Sequence, residues 1–172
     1  MVTEKTLNEV CKMNLSKENF SDESKVYVED KTAEEIFLKR DGRLNRLRYF
    51  KRILAVTLIS ILVSFPVMMI FGDDWGNLSS FGELLVTGIN LVALFPLYCL
   101  DVRRLHDMDK DETLAKISFG LGAIGAFVAS NDPFDLSPTE MIVYLVETVI
   151  ALYLLFSPGT EGENKYGADP LK

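Results

Sequence analysis

The chain has 172 residues, of which 48% are hydrophobic and 25% are charged, and its formal net charge is −7. This acidic balance excludes a general nucleic-acid-binding protein, because phosphate binding requires an excess of basic residues on the binding face. The charged residues are absent from long continuous blocks, whereas a soluble amphipathic helix would alternate them with apolar positions. Such segregation is typical of an integral membrane protein.

Residues 1–36 form a polar N-terminal segment of mixed charge. It lacks a basic stretch followed by an apolar core, so we expect no cleavable signal peptide. Thr32 and Glu35 have the spacing of a capping box, in which each residue hydrogen-bonds the backbone of the other at the start of a helix. The sequence therefore predicts a partly helical cytoplasmic segment ahead of the membrane domain.

The first apolar stretch, residues 53–71, contains no charged residue. As a helix with a rise of ~1.5 Å per residue it would cover roughly 28 Å, close to the ~30 Å thickness of the hydrocarbon core. Residues 43–52 before it predict a basic helix at the membrane boundary, with Leu44, Leu47 and Phe50 toward the lipid.

Three further stretches predict additional spans at about residues 84–100, 114–130 and 141–156. The third span is the weakest, but its small residues recur at intervals of four, a pattern that allows two helices to approach closely in lipid. These small residues are Ser118, Gly122, Ala126 and Ser130.

Glu147 lies near the middle of the fourth predicted span. Ten strongly apolar residues in that span contribute about −0.3 to −0.6 kcal/mol each, which together outweigh a cost of roughly +3 kcal/mol for the acid. Asn90 of the second span lies at a similar depth. Two interpretations stay open: a structural hydrogen bond between Glu147 and Asn90, and a pathway for ions or protons.

The distribution of the 18 Lys and Arg residues predicts the orientation. Twelve precede the first span, four lie around the middle connector, two lie in the tail, and the other two loops have none. The positive-inside rule then places both termini and residues 101–112 in the cytoplasm. We predict an all-α, polytopic four-helix bundle over residues 37–170, with a turn-rich cytoplasmic tail.

Three motifs flank the spans on this predicted cytoplasmic side. They are Gly42-Arg43-Leu44-Asn45-Arg46-Leu47-Arg48-Tyr49-Phe50, Arg103-Arg104-Leu105-His106-Asp107 and Pro158-Gly159-Thr160-Glu161-Gly162-Glu163-Asn164-Lys165-Tyr166-Gly167-Ala168-Asp169-Pro170. In this order around the four spans, over about residues 37–170, the motifs resemble the bacterial domain-of-unknown-function family 805. The resemblance implies a small multi-pass protein of the bacterial inner membrane without an assigned activity. The chain departs from the family pattern after the second motif, where Asp109, Asp111 and Glu112 stand in place of an expected Gly and Ser-Gly pair.

The motifs predict a surface that binds an anion, because arginine donates hydrogen bonds to phosphate and carboxylate oxygens in pairs. A simpler interpretation is that basic residues beside the spans attract anionic lipid headgroups at about 1 kcal/mol each, without a dedicated site. The candidate residues for binding a headgroup or a partner protein are Arg43, Arg46, Arg48, Arg103, Arg104, His106, Asp107, Asn164 and Tyr166.

Enzymatic and metal-binding motifs are missing from the sequence. His106 is the only histidine, so a site with two imidazole ligands is excluded within one chain. Asp107, Asp109 and Asp111 alternate as in a calcium loop, but Glu112 stands where that loop needs glycine. No catalytic triad, phosphate loop or dinucleotide fingerprint is present, so we expect no metal and no cofactor. A membrane enzyme that uses His106 and Asp107 ranks last among our hypotheses.

Our leading hypothesis is a non-enzymatic membrane protein that binds an anionic lipid headgroup or a partner protein at its cytoplasmic face, with the N-terminal segment modulating the choice of partner. The alternative is a small transporter or proton-coupled channel built around Glu147. Four short spans enclose little volume, so that alternative implies a homo-oligomer.

Overall fold

The computed structural model describes residues 29–74, 77–128 and 137–171. Each long helix packs against the next one in the chain, and contacts between the first and last of them close an up-and-down bundle. We call the end of the bundle where the first long helix begins and the last one ends the basic end. The elements are α1 (Ala33–Phe37), α2 (Arg46–Phe71), β1 (Gly72–Asp74), β2 (Asn77–Leu78), α3 (Ser80–Asp107), α4 (Thr113–Val128) and α5 (Pro138–Phe156).

The bundle consists of apolar helices, as the sequence predicts. α2, α3 and α5 are long and apolar enough to cross a membrane. α4 has 16 residues, and at ~1.5 Å per residue it covers roughly 24 Å, less than the ~30 Å hydrocarbon core. The end of the predicted third span, residues 129–130, lies outside the described residues. The helical bundle is confirmed, with the short strands β1 and β2 paired antiparallel between α2 and α3. The number of four spans stays a prediction.

The start of α1 confirms the predicted capping box. The side chain of Thr32 accepts a hydrogen bond from the backbone N–H of Glu35, and the Glu35 carboxylate accepts one from the backbone N–H of Thr32. α2 begins later than the predicted basic helix, because the side chain of Asn45 caps it by accepting from the N–H of Arg48 at 2.9 Å.

The prediction that Leu44 faces lipid is wrong. Its side chain is fully buried in the core of the basic end. The backbone N–H of Leu44 donates to the carbonyl of Arg103 at 3.1 Å, which holds this residue against α3 before α2 begins. Leu47 and Phe50, one turn further along, are exposed, as the prediction requires.

One member of the small-residue pattern, Gly122, lies where α4 packs against α3. A Cβ atom added there would lie 2.7 Å from Cδ2 of Leu94 on α3, too close for an unshifted neighbour. The absence of a side chain therefore lets α3 and α4 approach each other, as small residues do in membrane helices. Ser130, the last residue of the pattern, lies outside the described residues.

Candidate functional site

The three motifs converge at the basic end around the carboxylate of Asp107. This residue lies in the last turn of α3 and is only 4% exposed. Its Oδ1 atom accepts a hydrogen bond from Nε of Arg43 at 3.2 Å, and its Oδ2 atom pairs with Nη1 of Arg104. One buried carboxylate thus neutralises part of the charge of two buried guanidinium groups, which is the arrangement that offsets their desolvation.

The other donors of these two arginines reach backbone carbonyls. Arg43 donates to the carbonyls of Thr160 and Gly162 in the tail. Arg104 donates from Nε to the carbonyl of Leu154 at 2.8 Å and from Nη2 to that of Ser157. Leu154 and Ser157 lie at the C-terminus of α5, where the last carbonyls have no partner inside the helix. Arg104 therefore caps α5 from a neighbouring helix.

The turn-rich tail folds back under the bundle and contacts the end of α3. The backbone N–H of Thr160 donates to the carbonyl of Asp107 at 2.8 Å. Asn164 donates from Nδ2 to the carbonyl of His106 at 2.9 Å, and the ring of Tyr166 stacks on the His106 ring with centroids 3.7 Å apart. We call Arg43, Arg104, Asp107 and residues 157–167 the tail latch.

Arg103 points away from the tail latch and holds the N-terminal segment. Its Nη2 atom lies 2.7 Å from Oδ2 of Asp30, and the same oxygen lies 2.9 Å from Nη2 of Arg52. Arg103 and Arg52 also donate to the carbonyls of Glu35 and Ile36, at 3.0 and 3.1 Å. We call Asp30, Arg52 and Arg103 the N-terminal clamp.

Electrostatics stabilise the ionised form of Asp30 in this clamp. Burial alone would raise the pKa of this carboxyl, but the hydrogen bonds and charges of Arg103 and Arg52 lower its pKa below the ordinary value. The carboxylate is therefore charged at neutral pH. Nε of Arg103 is buried and has no hydrogen-bond partner within the described part of the chain, so the clamp retains one unused donor.

The remaining predicted residues do not join either cluster. Arg46 is exposed at the start of α2. Arg48 is partly buried and lies 3.3 Å from the exposed carboxylate of Glu29. The predicted hydrogen bond between Glu147 and Asn90 is wrong, because Glu147 faces α4 and accepts from Ser118 at 3.1 Å, whereas Asn90 lies on the exposed side of α3.

Sequence reasoning missed Asp30, Tyr49 and Asp101. The hydroxyl of Tyr49 donates to Oδ1 of Asp101 at 2.8 Å, and both side chains are buried. Asp101 follows the last apolar residue of the second predicted span directly, and this position at the membrane boundary was a usable signal. No sequence signal distinguished Asp30, because it stands in a polar segment beside the equally acidic Glu29.

A family model described as a protein of unknown function (DUF805) matches residues 37–168. The chain belongs to this family. All members of the tail latch lie inside the matched range, as do Arg52 and Arg103, whereas Asp30 precedes it. The comparisons with curated proteins and with solved structures returned no match.

The two arginine clusters of this DUF805 protein therefore differ in what an external anion would have to displace. Arg43 and Arg104 hold the protein's own tail through family motifs, so an anion there would compete with the fold of the family domain. Arg52 and Arg103 hold a carboxylate from outside the matched range. The N-terminal clamp is the better candidate for ligand binding.

Proposed function

We propose that this DUF805 protein is a non-enzymatic protein of the bacterial inner membrane, with four spans and both termini in the cytoplasm, that binds an anionic phospholipid through Arg52 and Arg103. The observation that carries this proposal is the Asp30 carboxylate, held 2.7 and 2.9 Å from the two guanidinium groups. A carboxylate that is bound by two guanidinium groups occupies the position that phosphate oxygens would take.

The charge balance of the clamp supports the proposal. The family domain supplies both cations, and the N-terminal segment supplies the acid. Arg103 is 2% exposed, and a buried cation without an opposite charge is costly. When Asp30 leaves, an external anion that reaches Arg103 and Arg52 restores the balance, and the unused Nε of Arg103 gives it one more donor.

The position of the clamp favours a lipid over a soluble anion. Arg52 immediately precedes the first apolar stretch, at the depth where headgroups lie. An apolar groove runs from α1 along the outside of α2 and α3, which suits an acyl chain whose phosphate is bound at the clamp. Beyond α1, the groove is lined by Val56, Ile59 and Val63 of α2 and by Ile89 and Val92 of α3.

In this arrangement the N-terminal segment competes with the lipid. Asp30 takes the phosphate position, and α1 covers one end of the groove through Phe37 and Leu38. Release of residues 29–38 would free the arginines and the groove together. The segment thus regulates lipid binding as an internal substitute for the ligand.

Lipid binding to matched charge variants tests this proposal. In mixed micelles, Asp30→Asn is expected to raise the affinity for phosphatidylglycerol about tenfold, which corresponds to ~1.4 kcal/mol, because the internal competitor loses its charge. The affinity for zwitterionic phosphatidylcholine is expected to stay the same. Glu29→Gln removes one charge from an exposed neighbouring carboxylate and serves as the control with little effect. Fluorescent lipid analogues provide the measurement.

Equal affinities of Asp30→Asn and Glu29→Gln for phosphatidylglycerol would mean that only net charge matters, and the proposal would be wrong. Arg103→Gln in the Asp30→Asn background is expected to remove the gain. Inorganic phosphate that displaced phosphatidylglycerol at equal concentration would contradict the role of the groove, because phosphate has no acyl chain.

A further inference from the structure

A largely apolar cavity of about 170 Å³ lies between the four long helices, and each of them contributes one polar side chain to its lining. Tyr49 comes from α2, Asp101 from α3, Ser118 from α4 and Glu147 from α5. This volume is large enough to hold water, and the polar side chains supply the hydrogen-bond partners that buried water needs. Ionisable side chains among apolar membrane helices are costly to keep, so Glu147 and Asp101 mark a functional site by default.

The polar side chains in the cavity form two separate pairs. Tyr49 donates to Asp101 at 2.8 Å, and Ser118 donates to Oε2 of Glu147 at 3.1 Å. The second oxygen of Glu147, Oε1, is buried and has no hydrogen-bond partner in the described ranges. Glu147 therefore has an unused position for a proton or another hydrogen-bonding species.

No basic side chain lines this cavity among the described residues. The titratable groups that face it are Tyr49 from α2, Tyr98 and Asp101 from α3 and Glu147 from α5, while α4 contributes the hydroxyl of Ser118. Tyr98 donates to Glu112 outside the bundle at 2.7 Å. Arg104, one turn beyond Asp101, pairs with Asp107 and the carbonyl of Ser157 in the tail latch.

We propose that Asp101 and Glu147 form a proton-binding site between the four long helices, with the unpartnered Oε1 atom of Glu147 as the position that holds the proton. A proton lost from Oε1 of Glu147 passes to cavity water, and water returns a proton to Asp101, so that only a proton moves and no electron is transferred. Asp101 lies toward the basic end and exchanges protons with that side of the membrane. The site shares no residue with the N-terminal clamp, so it is independent of the proposed lipid binding.

Labelling with N,N′-dicyclohexylcarbodiimide tests this site in the full-length protein in liposomes. The reagent enters apolar regions, and the O–H of a neutral carboxylic acid adds across its C=N bond to give an adduct that rearranges to a stable N-acylurea. Glu147 is expected to be labelled at pH 7 several-fold faster than Glu112, an acid on the surface of the basic end. The rate is expected to fall as the pH rises, and mass spectrometry locates the label.

Two variants keep the test independent of folding defects. Glu147→Gln, which preserves shape, is expected to lose the label at that position. Ser118→Ala removes the hydroxyl that stabilises the ionised carboxylate, so labelling of Glu147 is expected to persist to higher pH. Absence of label on Glu147 at every pH would overturn the proposal. Protection by sodium ions at constant pH would also overturn it, in favour of a metal-cation site.

Discussion

Asp107→Asn is expected to detach the C-terminal tail and to destabilise the basic end by about 3–5 kcal/mol. The variant keeps the shape of the side chain but removes the one charge that opposes Arg43 and Arg104, which are 2% and 0% exposed. Two buried cations without a counter-ion cost far more than the loss of a surface pair. Limited trypsin digestion in detergent, followed by mass spectrometry, measures the release of the tail after Lys165.

Asp111→Asn is the matched control for this experiment. Asp111 carries the same charge four residues further on, but its side chain is exposed and accepts a hydrogen bond from the hydroxyl of Thr113 at 2.7 Å. This partner lies in α4, so the rate of cleavage after Lys165 is expected to stay close to that of the wild type. Equal cleavage of the two variants would show that Asp107 does not hold the tail.

Gly159→Ala is expected to open the same latch by a steric route, at a cost of about 1–3 kcal/mol. A Cβ atom at this position would lie 2.2 Å from Oδ2 of Asp107 and 2.8 Å from its Cγ. The carboxylate has little freedom to move aside, because Arg43 and Arg104 hold both of its oxygens. The tail must shift, and faster cleavage after Lys165 reports this shift.

Gly88→Ala provides the control for the glycine substitution. No atom lies within 4 Å of a Cβ built at Gly88, and alanine is favoured over glycine in a helix by up to ~1 kcal/mol. Its thermal stability in detergent is expected to equal or exceed that of the wild type. The double variant Asp107→Asn, Gly159→Ala is expected to lose less than the sum of its parts, since both changes break one latch. Additive losses would argue against a shared latch.

The tail latch gives the family motifs a structural role. Gly42 has a φ of 87°, a conformation that glycine adopts readily, and it turns the chain so that Arg43 enters the core. Arg104 and Asp107 come from the second motif, and Gly159 and Thr160 come from the third. These arginines thus bind a carboxylate and backbone carbonyl oxygens of the protein itself.

The sequence by itself determined the helices of this protein. A long uncharged stretch satisfies its backbone hydrogen bonds within lipid only as a helix, so hydropathy and length predicted the apolar helices α2, α3 and α5. The capping box at Thr32 predicted the start of α1 because its hydrogen bonds are local. The order of the three motifs around the apolar stretches was enough to predict the family.

Only the tertiary structure decided which partner each arginine has. Arg103 and Arg104 are neighbours in sequence, but successive residues of a helix point about 100° apart. Arg104 therefore reaches Ser157 and the tail, whereas Arg103 reaches Asp30, 73 positions earlier in the chain. Spacing within a motif carries no information about such distant partners. The burial of these charges, and with it the difference between a latch and a binding site, arises only when the helices pack.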